Sequence, residues 1–264
     1  MTASNLTGKV VLVTAASEGL GFACAKRFAT AGCAVAICAR RKEILDEASH
    51  ELQLISNSPV MAEVVDLTQA SDITRLVTAV EEMFGGLDIL IVNSGHIPYG
   101  SIEDFDDDEW QTAFELLLMS AVRLTRLAIP RMRRRGGGDI VFASSSTMRN
   151  PPPHLLLSSV MRLGVAGLAK TVARAVAGEN IRVNVVAPGL FDTGRVEQRI
   201  DALMREERLP REKAIAEFAK EVPMNRVGVA EEFAELVEFI VSRRSAYMTG
   251  TTITIDGGED PTIL

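Results

Sequence analysis

The chain has 264 residues, a formal net charge of −7, and 47% hydrophobic and 24% charged residues. This composition is typical of globular proteins and excludes a disordered chain. Sequence-independent nucleic-acid binding needs a basic face, so the acidic balance argues against a nucleic-acid partner. No apolar run reaches the roughly 18 residues of a membrane span, and the N-terminus lacks the apolar core of a signal peptide. We therefore expect no membrane partner and a cytoplasmic location.

Short apolar runs rich in β-branched residues alternate with segments of helical periodicity along the whole chain. The runs predict buried strands of a parallel sheet at residues 10–13, 34–39, 60–65, 88–92, 139–143, 182–186 and 251–255. Helices are predicted at residues 22–31, 42–54, 73–84, 108–132, 155–177 and 231–242, and a charged helical stretch occupies residues 196–221. This order predicts one α/β domain over residues 1–264, with a doubly wound, mostly parallel seven-stranded sheet and helices on both faces.

The three cysteines lie close together near the start of the chain, at Cys24, Cys33 and Cys38. They form no Cys-x-x-Cys pair, and no histidine lies near them, so the spacing predicts no metal site. Small buried thiols of a reduced, cytosolic protein are the better interpretation.

A glycine-containing turn joins the first predicted strand to the first predicted helix. It reads Thr14-Ala15-Ala16-Ser17-Glu18-Gly19-Leu20-Gly21. Gly19 and Gly21 allow the backbone to approach a pyrophosphate, whose charge is favoured at a helix N-terminus. The strand–turn–helix context is the one that a dinucleotide-binding motif requires, although such a turn can also be only a turn.

Further short motifs follow in a characteristic order: Asp66-Leu67, Asn93-Ser94-Gly95, Ser144-Ser145, Pro188-Gly189 with Thr193, and Asp256-Gly257-Gly258. Together with the glycine turn, this series resembles the short-chain dehydrogenase/reductase family, and most closely its β-ketoacyl-carrier-protein-reductase-like branch. The resemblance covers residues 6–258. It implies a Rossmann-type fold, a nicotinamide cofactor and a small-molecule substrate. It also implies a homo-dimer or homo-tetramer in which the helices at residues 108–132 and 155–177 pair between subunits.

The resemblance also implies roles for individual residues around the cofactor. Asp66 would hold the adenine, Asn93 would brace the central strand near the cofactor, and Thr193 would meet the nicotinamide amide. The stretch at residues 195–222 would form a helical lid over the substrate. Its arginines, Arg195, Arg199 and Arg205, either meet an anionic substrate or form a solvated helix face. The sequence departs from the family at Ala15, where glycine is usual.

The end of the second predicted strand should distinguish NAD from NADP. NAD enzymes place a carboxylate there to bind the ribose 2′-hydroxyl, whereas an arginine can bind a 2′-phosphate. This chain has Arg40 and Arg41 there and no acid. Glu18 counts against a phosphate, and the arginines could also serve only as solvated loop residues. We expect NADP(H) to be favoured over NAD(H).

The catalytic residues of the family are asparagine, serine, tyrosine and lysine, and this chain retains only the serine, as Ser145. Ser158 stands where the tyrosine belongs, Arg162 where the lysine belongs, and Leu117 where the asparagine belongs. A serine hydroxyl is a poor proton source near neutral pH, and arginine is not deprotonated in proteins. Arg162 can still bind ribose hydroxyls and place positive charge beside a developing alkoxide. Ser145, Ser158 and Arg162 could thus polarise a carbonyl electrostatically.

The proton for such a site comes either from water or from a histidine. His154 precedes Ser158 by four residues and Arg162 by eight, so the three share one face if the helix begins early enough. His96 follows Asn93-Ser94-Gly95 at the carboxyl end of the fourth predicted strand, where ligands bind in such sheets. We favour His154 over His96, although either can be a purely structural residue.

The function that these residues favour is an atypical NAD(P)(H)-dependent oxidoreductase acting on a carbonyl or alcohol. One alternative is a nucleotide-binding protein of the same fold with little or no catalytic activity. Another is a dehalogenase-like lyase, because halohydrin dehalogenases resemble this family and also replace the lysine with arginine. Those enzymes, however, keep the tyrosine and fill the nicotinamide site.

Overall fold

The computed structural model describes residues 6–194, 200, 204–205, 208–220 and 222–262. In this part of the chain, seven parallel strands form one sheet in the order β3-β2-β1-β4-β5-β6-β7. The strands are β1 Val10–Val13, β2 Ala34–Ala39, β3 Val60–Val64, β4 Ile89–Val92, β5 Gly138–Ala143, β6 Ile181–Pro188 and β7 Thr252–Ile255. The predicted seven-stranded parallel sheet is therefore confirmed.

Helices connect the strands and cover the sheet. They are α1 Gly19–Thr30, α2 Lys42–Ile55, α3 Ala70–Phe84, α4 Asp107–Ala113, α5 Ser120–Arg134, α6 Leu156–Val176, α7 Arg211–Ala219 and α8 Ala230–Val241. A π-helical segment, Phe114–Met119, joins α4 to α5. The helix predicted at residues 108–132 is thus a helix with one widened turn, and that turn carries Leu117.

Neighbouring side chains of β1 enter opposite cores. Val10 and Leu12 pack in the core formed with α3, α5 and α6. Val11 and Val13 pack in the core formed with α1, α2 and α8. Successive side chains of a strand point to opposite faces of the sheet. Since all of β1 is buried, helices must pack on both faces. The prediction of helices on both faces is confirmed.

The segment Leu156–Glu179, which contains α6, has 24 residues and a mean hydropathy of 1.3. It is long and apolar enough to cross a membrane by length and composition alone, and 39% of its apolar window is buried. One side of α6 packs on the sheet core through residues such as Val165 and Ala169. The opposite side leaves Val160 and Leu163 exposed. Packing inside the fold therefore accounts for part of its apolar character.

The start of β5 carries a mostly buried ion pair. Asp139 lies beside Arg182 of β6 in the strand register, with 2.7 Å between the carboxylate and a guanidinium nitrogen. Burial raises the pKa of Asp139 to about 7, although the charge of Arg182 opposes the shift. Asp139 therefore exchanges a proton in a pH range where an exposed carboxyl is already ionised.

Replacing Asp139 with asparagine should flatten part of the pH dependence of stability. Between about pH 4 and 7 the folded chain holds a proton on Asp139 that the unfolded chain has released. The contribution of this group to the free energy of unfolding therefore falls as pH rises, by up to about 1.4 kcal/mol per pH unit. In urea unfolding across this range, the free energy of unfolding of the native chain minus that of Asp139→Asn should fall as pH rises. An equal fall for the exposed control Asp108→Asn would contradict the assignment.

Candidate active site

A cavity of about 990 Å³ opens at the carboxyl ends of the central strands. Its wall contains residues from the loops that follow β1, β2, β4, β5 and β6. The strand order reverses between β1 and β4, and ligands of doubly wound sheets bind in the crevice at such a switch point. The sequence-predicted residues on this wall are Ser17, Glu18, Gly19, Leu20, Arg40, Arg41, Leu67, Asn93, Ser94, Gly95, His96, Ser145, His154, Arg162, Pro188, Gly189 and Thr193.

Gly21 is required by close packing behind the glycine turn. A Cβ atom at this position would lie 2.5 Å from the carbonyl oxygen of Ala15 and 2.7 Å from Nδ2 of Asn93. Real Cβ atoms do not approach other atoms this closely, so the turn can pass over β4 only with glycine here. Gly19 has a φ of +57°, which glycine adopts without strain. The two glycines thus shape the turn for different reasons.

Thr14 and Asn93 tie the ends of β1 and β4 together. The Thr14 hydroxyl donates to the Asn93 carbonyl oxygen at 2.6 Å, and the Asn93 N–H donates to the same hydroxyl at 3.0 Å. Thr14 is completely buried, so it lies behind the cavity wall rather than on it. The pair fixes the spacing of the two strand ends that face the cavity.

Ala15 has a φ of +47°, in the left-handed region. That conformation costs a residue with a Cβ about 1–2 kcal/mol, which explains why glycine is the expected residue at this place. The amide of Asn93 donates to the carbonyl oxygen of Ala15 at 2.9 Å and holds the turn in place. The chain therefore forms this turn with a strained alanine.

The two arginines after β2 differ in their surroundings. Arg41 forms an exposed ion pair with Glu18. Arg40 also lines the cavity, and it has no hydrogen-bond or ion-pair partner within the described parts of the chain. Its guanidinium is therefore the one of the two that is available to an incoming anion.

Asp66 lies between two residues that line the cavity, Val65 and Leu67. Its carboxylate accepts hydrogen bonds from the backbone N–H of Thr68 at 2.9 Å and from the Thr68 hydroxyl at 2.8 Å. These bonds shape the loop between β3 and α3, and they leave lone pairs on the second carboxylate oxygen.

Ser145 lines the cavity just after β5. Its side-chain oxygen accepts hydrogen bonds from the N–H of Thr147 at 3.3 Å and from the Thr147 hydroxyl at 3.0 Å. Ser145 is half-buried and caps a short 3₁₀ turn, Ser146–Met148. The hydroxyl is thus held in one position by its neighbour two residues along the chain.

Ser158 is only 2% exposed and lies behind the cavity wall. Its side-chain oxygen accepts a hydrogen bond from Nε of Arg162 at 3.1 Å, and Nη1 of Arg162 donates to the carbonyl oxygen of Ala143 at 3.0 Å. Ser158 is expected to help polarise a carbonyl, and in the structure its short side chain stays against the helix and binds the guanidinium. Ser158 thus fixes Arg162, which does line the cavity.

Both candidate histidines are exposed and line the cavity. The condition for His154 to share a helix face with Ser158 is not met, because α6 begins at Leu156. His154 lies in the turn before it, where its carbonyl oxygen accepts the N–H of Gly100 at 2.9 Å. Its ring stacks on that of Tyr99, with ring centroids 6.0 Å apart.

Several polar residues of the wall were not predicted. Thr147 lies two residues from Ser145 and could have been found from that spacing. Glu259 gave no local signal, since its carboxylate accepts the N–H of Leu190, 69 residues away in the chain. The unpredicted polar lining residues are Tyr99, Ser144, Ser146, Thr147, Asn150, Glu259 and Asp260.

The region predicted as a lid is described only in part. Arg195 and Arg199 lie outside the described residues, whereas Arg205 is exposed and α7 covers Arg211–Ala219. Among the described residues, no group of three or more His, Cys, Asp or Glu side chains is arranged to hold a metal ion. The cysteines are free and buried.

Comparisons with known proteins agree with this architecture. The family described as "Enoyl-(Acyl carrier protein) reductase" matches residues 14–259. Human "Dehydrogenase/reductase SDR family member 4" is 35% identical over 254 residues, covering 96% of this chain and 88% of that protein. The structure of L-sorbose reductase from Gluconobacter frateurii, complexed with NADPH and L-sorbose, has a TM-score of 0.96 at 32% identity and covers 99% of this chain and all of that one.

A further structural neighbour bears on the replaced catalytic residues. The apo structure of a short chain oxidoreductase from Pseudomonas aeruginosa PAO1 has a TM-score of 0.91 at 31% identity, covering 97% of this chain and 99% of that one. That protein is described as containing an atypical catalytic center.

Proposed function

Since the chain belongs to the short-chain dehydrogenase/reductase family, we propose that it is an oxidoreductase that interconverts a carbonyl and an alcohol with NADP(H). The bound cofactor would supply or accept the hydride. The observation that carries the proposal is the placement of Ser145 and Arg162 on one wall of a cavity that also contains the glycine turn. A hydroxyl donor and a fixed positive charge are what a developing alkoxide needs.

The described residues fit a dinucleotide. The N-terminus of α1 and the glycine turn present backbone N–H groups to a pyrophosphate, and Gly21 permits the close approach. Arg40 would bind a 2′-phosphate, Arg162 the hydroxyls of the nicotinamide ribose, and Thr193 the nicotinamide amide. Thr193 lies next to Gly19 on the cavity wall, which supports its placement near the cofactor.

The substrate oxygen would lie within hydrogen-bond reach of Ser145 and near the guanidinium of Arg162. Two bonds, to Ser158 and to the backbone of β5, hold that guanidinium in place, so its charge is oriented before a substrate arrives. Arg162 stays charged throughout and moves no proton. Its contribution is electrostatic, and the proton must come from elsewhere.

Turnover should be nearly independent of pH between about 6 and 9, because Ser145 and Arg162 do not titrate in this range. The start of α6 at Leu156 removes the reason to favour His154, so we expect water to be the proton source. The kcat profile of the native chain should match those of His154→Gln and His96→Gln. A rate of reduction that falls above about pH 6.5, and a flat profile in one of these variants, would instead assign the proton to that histidine.

Titration with NADPH and NADH, followed by a panel of small carbonyl compounds, tests the proposal. Tight binding of NADPH with turnover of at least one carbonyl supports it. Bound NADPH without turnover on any compound favours a nucleotide-binding protein with little or no activity. Absence of nucleotide binding, together with release of halide from a vicinal haloalcohol, favours the lyase.

We propose a homo-dimer or homo-tetramer in the cytoplasm for the intact protein. The exposed apolar side chains of α6, Val160 and Leu163, support pairing between subunits. Light scattering of the purified protein gives the oligomeric state directly.

A further inference from the structure

The bonds between Ser145 and Thr147 exceed what capping of the short turn requires. The backbone N–H of Thr147 already caps the turn by donating to the Ser145 oxygen at 3.3 Å. The Thr147 hydroxyl adds a second, shorter bond of 3.0 Å to the same oxygen. A small hydrophobic residue at position 147 would retain the first bond and lose the second.

These two bonds determine what the Ser145 hydroxyl can do. A hydroxyl has one proton to donate and two lone pairs that accept. When Thr147 donates both bonds, the lone pairs of Ser145 are occupied and its proton is the group left for a ligand in the cavity. In this orientation Ser145 donates to a substrate oxygen.

Thr147 connects Ser145 to water. In the same orientation its hydroxyl donates to Ser145, which leaves the lone pairs of its own oxygen to accept. The side chain is half-buried and lines the cavity, where water has access. A water that donates to Thr147 completes a chain of one water and two hydroxyl groups from solvent to the substrate.

We propose that Ser145 and Thr147 form a two-hydroxyl proton relay from water to the substrate oxygen. This inference rests on the proposed function and names the proton path of that site. During reduction, hydride adds to the carbonyl carbon and the π electrons move to the oxygen. That oxygen bonds to the Ser145 proton, Ser145 takes the Thr147 proton, and Thr147 takes a proton from water. Hydroxide leaves to the buffer, and oxidation runs the same steps in reverse.

The relay supplies what the two replaced catalytic residues do not. Ser158 is buried and engaged with Arg162, and Arg162 keeps its proton. A single serine with no route for reprotonation would remain a poor proton source. With Thr147 behind it, no charged serine accumulates, because the protons move along the chain together.

The test compares Thr147→Val with Thr147→Ser in carbonyl reduction with NADPH. Valine matches the shape of threonine and keeps the backbone N–H but removes the hydroxyl, whereas serine restores the hydroxyl. We expect Thr147→Val to lower kcat by about 10²-fold, the scale of a lost proton-transfer group. Thr147→Ser should recover most of that loss. The NADPH dissociation constant and the melting temperature should stay the same in both. Thr74→Val, on the exposed side of α3, is the control for the substitution.

Solvent deuterium separates a relay from a merely structural hydroxyl. In mixtures of H₂O and D₂O, kcat of the native enzyme should depend on the deuterium fraction along a curve, because more than one proton moves. The residual rate of Thr147→Val should follow a straight line or show no isotope effect. A role in positioning alone would change KM or stability and leave this curvature in place.

The outcomes for the relay and for the proposed function are distinct. A kcat of Thr147→Val within twofold of the native value, or no recovery in Thr147→Ser, overturns the relay alone. If the native enzyme binds NADPH and reduces no carbonyl, both the proposed function and the relay are overturned.

Discussion

Replacing Ser145 with alanine should lower kcat by about 10²–10³-fold, the effect of losing one donor to a developing oxyanion. The family resemblance implies that a tyrosine usually shares this task and that the buried Ser158 stands at its position here. Ser145 therefore carries a larger part of the stabilisation. The loss should appear in kcat and in kcat/KM together, since the bond strengthens as negative charge develops. Steady-state kinetics with NADPH and an established carbonyl substrate measure it.

Ser144→Ala provides the matched control for this experiment. Ser144 is adjacent in sequence, but its hydroxyl is directed to the sulfur of Met148 at 3.5 Å. Its removal should change kcat by less than the removal of Ser145, and neither variant should weaken NADPH binding. A Ser145→Ala enzyme with native kcat would contradict the placement of the reacting oxygen beside Ser145.

The sheet and the cofactor side of the cavity were accessible from the sequence because their signals are local. Buried parallel strands are short apolar runs, and the residues after each run gather at one edge of the sheet. Arg40, Asn93 and Gly189 are far apart in the chain, yet each follows a predicted strand and each lines the cavity. Here the rule of alternating strands and helices is enough to bring them together.

The substrate side was less accessible because tertiary contacts decide it. Three prolines precede α6, and they are equally compatible with a helix beginning one turn earlier. Gly100 pairs with the segment at His154 and Leu155, and this pairing keeps the helix from beginning before Leu156. That contact joins two distant loops, so local propensity does not reveal it. As a result, His154 lies in the turn before the helix and does not share a helix face with Ser158.

The sequence also did not predict which groups the side chains of Ser158 and Arg162 contact. Ser158 stands at the position of a catalytic tyrosine, but a side chain two atoms long does not reach the cavity that a phenol would enter. Arg162 is long enough to reach both Ser158 and the end of β5. This arrangement favours Ser145 as the hydroxyl donor of the proposed site.

Cofactor preference should depend on Arg40 more than on Arg41. The 2′-phosphate of NADPH would gain a charge-assisted contact from Arg40, and such a bond contributes about 1.5–3 kcal/mol. Arg40→Ala should therefore weaken NADPH binding by about 10- to 100-fold and leave NADH binding nearly unchanged. Arg41→Ala should have a smaller effect, because Glu18 already pairs with Arg41. The double variant should lose the preference for NADPH.

Glu18 gives this prediction a second, independent measurement. Glu18→Gln removes the carboxylate that pairs with Arg41 and that would repel a nearby phosphate. NADPH binding should tighten in Glu18→Gln, and the part of the gain that comes from the released Arg41 should disappear when Arg41 is also alanine. Fluorescence titrations of both cofactors at fixed ionic strength give the four dissociation constants that each comparison needs, since exposed charges are screened by salt. Equal affinities of the native chain for NADPH and NADH would reject the assignment of the 2′-phosphate to this loop. If the double variant Arg40→Ala, Arg41→Ala still prefers NADPH over NADH, other residues of the cavity determine the preference.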